Sequence, residues 1–340
     1  MHCQTGLGVL QLGTKTEKLK VTGDLIEVVV TRRVLAATDI MNFELRRPDN
    51  GALPAFTAGS HIDLHLPNGL VRQYSLCNSS SHSGYYEIAV LLEPDGRGGS
   101  KSAHEDLLPG SIVRITAPRN LFALVPGRHS ILLAGGIGVT PILSMADALT
   151  SADASFEFHY CTRSEDRAAF RERIASSPFA SRVRFHFDDG DSRQKLQIRD
   201  VLSEARDDVH LYVCGPTGFM DYVLSNAREC GWSEANTHIE FFTAQEMSRT
   251  GDAGFDLKLA RSGRIIRVEA DQTVIKALAL RGIDIPVSCE QGICGTCLTE
   301  VLEGEVEHRD QFLTEEEHTS NKLFTPCCSR AKSPMLVIDV

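Results

Sequence analysis

A cysteine-rich loop towards the end of the chain, CEQGICGTC, carries the side chains best suited to chemistry. Cys289, Cys294 and Cys297 are spaced C-x4-C-x2-C, and the later stretch TPCCSR adds Cys327 and Cys328. This spacing with a distant fourth cysteine is the plant-type arrangement for a [2Fe-2S] cluster. A structural zinc site would favour two C-x2-C-like pairs, and a redox dithiol would place C-x-x-C at the start of a helix. The spacing therefore predicts an iron–sulfur cluster.

Two glycines are expected to shape this loop. Gly292 and Gly295 can take positive φ and turn amide N–H groups towards the sulfurs, where hydrogen bonds stabilise negative charge. The fourth ligand is either Cys327 or Cys328, because adjacent side chains diverge and cannot both readily reach one iron. The residues alone leave this choice open, and the cysteine that does not bind iron is expected to be a packed, inert thiol.

A second stretch, LLAGGIGVTPI, has glycines at the end of a continuous apolar run. Gly135, Gly136 and Gly138 leave room for a pyrophosphate at a helix N-terminus, with Thr140 able to cap the helix and Pro141 able to open it. The pattern differs from the dinucleotide fingerprint G-x-G-x-x-G, because Pro141 replaces the third glycine. Taken alone, the stretch is equally compatible with a tight turn that binds nothing.

The stretch VCGPTGFM ends another apolar run with Cys214, Gly215 and Pro216. If both runs are strands of one parallel sheet, the two loops lie at its carboxyl edge, where such sheets bind ligands. The two stretches together predict a nucleotide site.

Two further stretches, RQYSL and GRGGS, suit the phosphate of a flavin. In the first, Arg72 and Ser75 can hold a phosphate while Tyr74 packs against an aromatic ring, although an ordinary strand with an exposed arginine has the same sequence. The second opens a helix-like segment and offers backbone and hydroxyl donors. These donors belong to Gly98, Gly99 and Ser100.

The elements that must position these residues begin with a barrel. From residue 24 to residue 124, six short alternating segments and one helix-like interruption, SKSAHEDLL, predict a small antiparallel barrel. In HIDLHL, for example, Ile62, Leu64 and Leu66 alternate with polar residues that face the other way. The six segments are LIEVVVTRR, DIMNFELRR, SHIDLHLP, LVRQYSLC, YYEIAVLLE and SIVRITAP.

The rest of the chain divides into two further blocks, so the fold class is multidomain α/β plus β. From 125 to 243, continuous apolar runs alternate with helix-like segments and predict a parallel α/β sheet. Residues 244–252 are polar and typical of a linker, and residues 253–340 form a mostly β module with one helix. Residues 1–23 lack periodicity and are interpreted as a flexible tail, with an extra edge strand as the alternative.

Composition argues against several classes of protein. The net charge of −10 disfavours a nucleic-acid partner, and no apolar run approaches the roughly 18 residues of a membrane span. The N-terminal stretch has neither the basic nor the continuous apolar segment of a signal peptide, so a cytoplasmic location is expected. Ten cysteines in such a chain indicate reduced thiols, metal ligands or catalytic groups rather than disulfides.

Several motifs taken together resemble the phthalate dioxygenase reductase family, which includes reductase components of vanillate demethylase-like oxygenases. The resemblance spans residues 24–340 and implies a flavin barrel that binds FMN rather than FAD, an NAD domain and a C-terminal β-grasp ferredoxin domain. It also implies Cys327 as the fourth cluster ligand, and places Cys214 and the stretch EFF, which ends at Phe242, near the nicotinamide and the flavin. The motifs are RQYSL, GRGGS, AGGIGVTPI, CGPTGFM, SCEQGICGTC, EHRD and CCSRAKSPMLVID.

The residues and the resemblance together predict a set of site residues. Ser75 and Cys214 are predicted to act in catalysis. The predicted cluster ligands are Cys289, Cys294, Cys297 and Cys327. The predicted contacts to FMN and NADH are Arg72, Gln73, Tyr74, Ser75, Gly98, Gly99, Ser100, Gly135, Gly136, Gly138, Thr140, Pro141, Thr162, Arg163, Cys214, Gly215, Pro216 and Phe242.

The activity that the resemblance implies is NADH-dependent reduction of a separate Rieske-type terminal oxygenase, in aromatic ring oxidation or O-demethylation. NADH gives up two electrons as a hydride and a [2Fe-2S] cluster accepts one, so the flavin must lie between them. One alternative is a redox sensor without a turnover partner. Another is a self-sufficient monooxygenase, but His61, His65, His104, His159 and His186 show no facial-triad spacing.

Two details have more than one interpretation, namely the choice between NADH and NADPH and the role of an acidic stretch. Arg163, Arg167, Arg171 and Arg173 follow the second strand of the NAD domain, where the 2′-phosphate of NADPH would lie, yet they equally suit an exposed helix. The resemblance favours NADH. The acidic stretch TEEEH, residues 314–318, can help to dock the acceptor or can be a solvated charged loop.

Overall fold

The computed structural model of the chain describes residues 25–203, 205–242 and 252–340. The predicted tail, residues 1–23, lies outside these ranges, as does the predicted linker, 244–252, except for its last residue. The described residues belong to two compact units, 25–242 and 252–340. None of the helices in these ranges is both long and apolar enough to span a bilayer.

The first part of the larger unit is an antiparallel sheet. Its strands are β1 (Ile26–Ala37), β2 (Ile40–Arg46), β3 (Ser60–His65), β4 (Val71–Ser75), β5 (Tyr86–Leu91), β6 (Ile112–Ile115) and β7 (Arg119–Asn120). The first six pair in the order β4-β3-β6-β1-β2-β5, and β7 pairs with β3. The six predicted segments are therefore all strands. The short β7 was not predicted, because two residues are too few to show an alternating pattern.

The residues after β4 lie beside β5 and close the sheet into a barrel. The Cys77 N–H donates to the Glu87 carbonyl at 2.9 Å, and the Asn78 side chain accepts from the Glu87 N–H at 2.9 Å. Ile62 and Leu64 of β3 lie in one apolar core inside the barrel. The predicted interruption between β5 and β6 is a helix, α1 (Gly99–Asp106).

The second part of this unit is a parallel sheet. Its strands are β8 (His129–Gly135), β9 (Phe156–Thr162), β10 (Val183–Phe187), β11 (Val209–Cys214) and β12 (Thr237–Glu240), in the order β10-β9-β8-β11-β12. The strand order reverses between β8 and β11, and ligands bind at the carboxyl edge of such a switch point. Cys214 pairs with Ala134, which confirms that the two predicted loops leave the sheet side by side.

Four α-helices connect these strands. They are α2 (Val139–Ser151), α3 (Arg171–Ala175), α4 (Ile198–Val201) and α5 (Thr217–Glu229). The helices α2 and α5 agree with the sequence pattern, whereas α3 and α4 are shorter than their helix-like segments. At α3 the reason is local, because Phe170 has a φ of 62°, a left-handed conformation that an α-helix cannot contain.

The barrel and the parallel sheet share buried residues. Phe122 of the barrel and Ile142 of α2 belong to the same apolar core. Arg173 adds a polar connection, because its guanidinium pairs with Glu87 of β5 at 3.0 Å and with Asp147 of α2 at 2.9 Å. A site built from both parts is therefore held by continuous packing.

The smaller unit has a mixed sheet. Its strands are β13 (Phe255–Leu259), β14 (Ile265–Val268), β15 (Thr299–Glu303), β16 (Val306–Glu307), β17 (Leu323–Phe324), β18 (Arg330–Ala331) and β19 (Met335–Ile338), and its helices are α6 (Val274–Ala279) and α7 (Glu315–Ser320). The order β14-β13-β19-β15-β17 places β13 parallel to β19, and β16 pairs with β18. The predicted β-grasp module is confirmed.

The helix α7 corrects the interpretation of TEEEH as a loop. Thr314 accepts from the Glu317 N–H at 3.2 Å, while the Glu317 carboxylate accepts from the Thr314 N–H at 2.8 Å. This capping box starts a helix, and three acidic residues in the first turn favour its N-terminal dipole. The proposed docking role of the stretch stays a prediction.

Candidate functional site

The four predicted cluster ligands come together in the smaller unit. Cys289, Cys294, Cys297 and Cys327 are all buried. The Cys289 thiol contacts that of Cys294, and the Cys327 thiol contacts that of Cys297. Thiols from one loop and from the segment after β17 therefore converge, as a [2Fe-2S] cluster requires.

One sulfur of the loop, that of Cys294, is favoured in its ionised form. The hydrogen bond from the Cys289 thiol lowers the pKa of Cys294 and raises that of Cys289 itself, and Thr296 Oγ1, 3.2 Å from Cys294 Sγ, also lowers the pKa of Cys294. The Gln291 N–H donates to Cys289 Sγ at 3.3 Å. Because clusters bind thiolates whose charge is stabilised by hydrogen bonds, this donor set fits the group.

Cys328 has different neighbours. Its Sγ lies 3.3 Å from Thr325 Oγ1 and 3.9 Å from Ser329 Oγ, and a Cβ on Gly292 would lie 2.4 Å from it. The thiol that contacts Cys297 belongs to Cys327, not to Cys328. The geometry supports the prediction that Cys327 is the fourth ligand and that Cys328 is a packed thiol.

Both glycines of the loop have the predicted conformation. The φ angles are 75° at Gly292 and 67° at Gly295. A Cβ on Gly295 would lie 2.3 Å from the Phe312 ring, so the position lacks room for a side chain as well. The loop can therefore wrap closely only with glycine at these positions.

In the larger unit, RQYSL and GRGGS meet at the first turn of α1. Gly98 precedes the helix with a φ of 82°, and no side chain caps the first turn. A Cβ on Gly99 would lie 2.7 Å from Arg72 Nε, so only glycine lets the arginine lie this close. A guanidinium beside backbone N–H groups at a helix start suits a monophosphate. This cradle fits the phosphate of FMN.

The other predicted flavin contacts are placed by strand pairing and by α1. Gln73 pairs with Asp63 across β3 and β4, and Tyr74 is partly buried against the barrel core. Burial raises the pKa of the Tyr74 phenol. The Ser100 hydroxyl accepts from the Glu93 N–H at 3.0 Å and donates to the Glu93 carbonyl at 3.5 Å, so both of its contacts lie within the loop before α1.

Ser75 connects the barrel to the parallel sheet. Its Oγ donates to Glu240 Oε2 at 3.1 Å, and Glu240 is the last residue of β12. Glu240 Oε1 lies 3.9 Å from Nδ1 of the fully buried His61. Glu240 is the first residue of the EFF stretch that the resemblance placed near the flavin, but neither it nor His61 was assigned as a site residue. The only sequence signal was the position of Glu240 directly before the two phenylalanines that end with Phe242.

Burial controls the protonation of Glu240, His61 and Cys214. The Glu240 side chain is only 12% exposed, and burial raises its pKa to about 8 against the opposing effect of the Ser75 hydrogen bond. Burial also lowers the pKa of His61 to about 3, with repulsion from Arg119 as a second cause. Burial, followed by the nearby Glu240, raises the pKa of the Cys214 thiol. Near neutral pH, Glu240 can hold a proton beside a neutral imidazole and a neutral thiol.

The loop after β8 reaches the start of α2. Gly136 has a φ of 53°, and a Cβ on Gly138 would lie 2.2 Å from the Cys214 carbonyl oxygen. No side chain caps the helix, because Thr140 is its second residue and its hydroxyl donates to the Ile137 carbonyl at 3.1 Å. The predicted cap at Thr140 is therefore wrong. Pro141 is the third residue of α2 rather than the residue that opens it, and the uncapped N–H groups suit a pyrophosphate.

The loop after β11 lies against the loop after β8. A Cβ on Gly215 would lie 3.0 Å from the Gly135 Cα and 2.6 Å from the Phe219 ring. Pro216 directly precedes α5. Glycine at both positions allows the two backbones to form one narrow crevice at the switch point.

The remaining predicted contacts lie around the same edge. Thr162 ends β9 and its hydroxyl donates to the Ser164 carbonyl at 2.8 Å, whereas Arg163 is exposed. Phe242 is partly buried against the core that the barrel and the sheet share. The structure thus brings the predicted flavin and nucleotide residues together within one unit.

The other three arginines of this region form ion pairs. Arg167 lies 3.3 Å from Asp39, Arg171 pairs with Glu165, and Arg173 makes the two contacts described above. An arginine already balanced by a carboxylate is a weaker ligand for an additional phosphate. This arrangement disfavours recognition of the 2′-phosphate of NADPH by these three residues.

Comparison with protein-family models finds three matching domains. Residues 26–123 match an oxidoreductase FAD-binding domain, residues 132–225 match an oxidoreductase NAD-binding domain, and residues 257–332 match a 2Fe-2S iron-sulfur cluster binding domain. Their order along the chain is that of the three predicted blocks.

Whole-length relatives give the same picture. The vanillate O-demethylase oxidoreductases of Pseudomonas sp. (strain HR199 / DSM 7063) and Pseudomonas putida are 50% and 52% identical to the chain, and each match covers 93% of the chain and 100% of the relative. A phthalate 4,5-dioxygenase oxygenase reductase subunit of Pseudomonas putida is 38% identical over 91% of the chain and 96% of the relative.

Solved structures agree with these matches. The structure of phthalate dioxygenase reductase is similar with a TM-score of 0.74 and 35% identity, covering 96% of the chain and 100% of that protein. An intact type IV self-sufficient cytochrome P450 monooxygenase is similar with a TM-score of 0.80 and 35% identity. The match covers 93% of the chain but only 41% of that longer protein.

Proposed function

Because the chain belongs to the phthalate dioxygenase reductase family, which includes the vanillate O-demethylase oxidoreductases, we propose that it supplies electrons to a separate terminal oxygenase. It is an oxidoreductase with flavin-, NAD- and [2Fe-2S]-binding domains. Its family and the monophosphate cradle at Arg72 and Gly99 support FMN as the flavin. These groups together convert the two electrons of a hydride into single electrons, which is what an oxygenase with an iron–sulfur centre needs.

One observation carries this proposal, namely the hydrogen bond between Ser75 of the barrel and Glu240 of the parallel sheet. Ser75 follows the predicted flavin residues of β4, and Glu240 ends a strand at the edge where the nucleotide loops lie. The residues that would hold the two redox partners are therefore in direct contact. Hydride transfer requires such proximity, since the reacting atoms must approach to about 3–3.5 Å.

The residues of the chain have separate roles in this scheme. Arg72 and the first turn of α1 would hold the FMN phosphate, and the loops after β8 and β11 would hold NADH. Glu240 would hold or release a proton at Ser75 Oγ, because its pKa of about 8 lies near the working pH. The buried Cys214 would help to exclude water from the nicotinamide.

The relatives also suggest the class of oxygenase. The two vanillate O-demethylase oxidoreductases are 50% and 52% identical to the chain, against 38% for the phthalate 4,5-dioxygenase component. The partner would therefore be a Rieske-type O-demethylating oxygenase that acts on a methoxylated aromatic acid such as vanillate. A plant-type cluster near about −400 mV has sufficient drive to reduce a Rieske centre at roughly −150 mV or above.

Reconstitution tests this function. The chain loaded with FMN and iron–sulfur cluster is mixed with the oxygenase component of a vanillate O-demethylase, and NADH oxidation and vanillate consumption are followed together, with NADPH in a parallel reaction. Coupled, oxygenase-dependent turnover that prefers NADH is expected. Vanillate consumption that does not depend on the chain would argue against the O-demethylase partner.

A redox sensor is the alternative, and artificial acceptors distinguish it. The loaded chain alone is given NADH with ferricyanide or cytochrome c, and the steady rate of acceptor reduction is measured. An enzyme of the proposed kind turns over many times per chain. A single reduction of the bound groups without steady turnover would contradict the enzyme proposal and support the sensor.

A further inference from the structure

A group of metal-ligating side chains lies in the smaller unit outside the cysteine set. His308, Asp310 and His318 each place one ligand atom within 4.8 Å of the others. His318 Nε2 lies 3.3 Å from Asp310 Oδ2, and His308 Nδ1 lies 3.5 Å from Asp310 Oδ1. The two imidazole rings stack with their centroids 4.3 Å apart. One carboxylate therefore lies between two imidazoles.

The two ring nitrogens of His308 are buried, and this arrangement gives neither of them a hydrogen bond. Its side chain is only 9% exposed, and neither ring nitrogen has a hydrogen-bond partner among the described residues. Buried polar atoms are nearly always bonded, so an exception calls for a ligand, an ion or a water.

Asp310 is held in place independently of the histidines. Its Oδ2 accepts from the Leu313 N–H at 2.8 Å, and its Oδ1 lies 3.4 Å from Ser329 Oγ. Carboxylate oxygens have further lone pairs, so these contacts orient the group without using up its acceptor capacity. The nearby Lys332 opposes a cation, but its ammonium is paired with Glu305 at 3.2 Å.

We propose that His308, Asp310 and His318 bind a divalent cation of the zinc class through nitrogen and oxygen ligands. Two imidazoles and one carboxylate are typical ligands of Zn²⁺, and such a site leaves a further position for water. Bonds of about 2.0–2.2 Å require the most distant atoms to draw together by on the order of 1 Å. His318 can supply this movement, because its side chain is 28% exposed.

The cation would fasten α7 to the cysteine loop. His318 belongs to α7, while Asp310 and its neighbour Gln311 follow β16, and the Gln311 N–H donates to the Gly292 carbonyl at 3.0 Å. A bound cation stabilises the folded state that binds it. Zinc should therefore raise the thermal stability of the holoprotein and slow the loss of its iron.

Equilibrium dialysis of the holoprotein against Zn²⁺, with zinc and iron measured in the same samples, tests the site. One zinc per chain is expected beside an unchanged iron content. Loss of even an outer-shell partner costs about 10- to 100-fold in metal affinity, so His318→Ala should weaken zinc binding by at least about tenfold. Thr319→Ala, on the same helix, is the matched control and should bind zinc as the parent does.

X-ray absorption at the zinc edge of the unsubstituted holoprotein gives a second, variant-free test. Only nitrogen and oxygen scatterers at about 2.0–2.2 Å are expected. A sulfur shell near about 2.3 Å would show that zinc is bound by cysteines and would overturn the proposal. Absence of saturable zinc binding, or equal affinity in His318→Ala and the parent protein, would overturn it as well.

Discussion

Glu240 shows how much one buried carboxyl can influence this protein. Three strands bring it to Ser75 and His61, and it sits where the flavin and nucleotide residues meet. With a folded-state pKa of about 8 and an ordinary value of 4.5, it stays protonated in the folded state at a pH where the unfolded chain has already lost the proton. Folding stability must therefore depend on pH through this residue.

The sign of this dependence follows from the direction of the shift. Glu240 costs nothing below pH 4.5, and its contribution to stability falls as the pH rises from about 4.5 to about 8, by at most about 5 kcal/mol. His61 acts in the opposite direction below pH 6.5, because its folded-state pKa of about 3 keeps it neutral while the unfolded chain still binds a proton there. In urea unfolding at pH 5, 6.5 and 8, the parent should therefore lose stability between pH 6.5 and pH 8, whereas Glu240→Gln should not. Parallel profiles for the two proteins would disprove the assignment.

The neighbouring cysteines at 327 and 328 allow a matched comparison. Cys327 contacts Cys297, whereas Cys328 packs among Thr325, Ser329 and Gly292. Cys327→Ser should therefore lose the cluster iron and the visible iron–sulfur absorption. Cys328→Ser should keep two irons per chain, since serine fits the space of the thiol. Iron loss in Cys328→Ser alone would reverse the assignment of the fourth ligand.

At the scale of single elements, α1 is the part of the barrel that depends most on one glycine. A Cβ at Gly99 would lie 2.7 Å from Nε and 2.8 Å from Cγ of Arg72. Gly99→Ala should therefore push the arginine away from the helix start. A lost charge-assisted hydrogen bond costs about 1.5–3 kcal/mol, so the dissociation constant of FMN should rise about 10- to 100-fold.

Fluorescence titration of the flavin-free protein with FMN measures this effect. Glu105→Ala is the matched control, because Glu105 lies in the last turn of the same helix, is mostly exposed and lies 3.9 Å from the Lys101 ammonium. Its flavin affinity should not change. Equal affinities for Gly99→Ala and Glu105→Ala would show that the phosphate lies elsewhere.

Helices and strands were predictable where the periodicity of apolar residues within the segment itself determines the structure. The segments FEFHYCT and VRFHF coincide with β9 and β10, because apolar residues at every second position mark strands. The strands β16, β17 and β18 have two residues each, too few to show any period, and they form only because their partners are present. The helix α7 was missed because its cap, Thr314, was read together with the acidic residues as one charged stretch.

At the scale of the whole molecule, the predicted and the missed parts of the site differ in how far apart their residues lie along the sequence. The cysteine spacing and the phosphate loops are local patterns, so they could be found from the sequence. The contacts among His61, Ser75 and Glu240, by contrast, join residues that are distant in the sequence, with Ser75 and Glu240 165 positions apart. Only the closure of the barrel onto the parallel sheet brings them together.

The proposed order of electron carriers, from NADH to the flavin to the cluster, leads to a prediction that must be tested with the whole chain. Cys289 lies among the cluster ligands in residues 252–340, whereas the predicted flavin and nucleotide residues all lie in residues 25–242. Cys289→Ser should therefore abolish electron delivery to cytochrome c and to an oxygenase, because these acceptors draw electrons from the cluster. Reduction of the flavin by NADH should continue at close to the parent rate.

Stopped-flow spectroscopy separates these two processes. Bleaching of the flavin absorbance after mixing with NADH reports the first transfer, and steady reduction of cytochrome c reports the exit of electrons. In Cys289→Ser the first signal should persist and the second should disappear, while Cys328→Ser should retain both. Undiminished cytochrome c reduction by a cluster-free Cys289→Ser protein would show that electrons leave from the flavin. The cluster would then not be the exit of the chain.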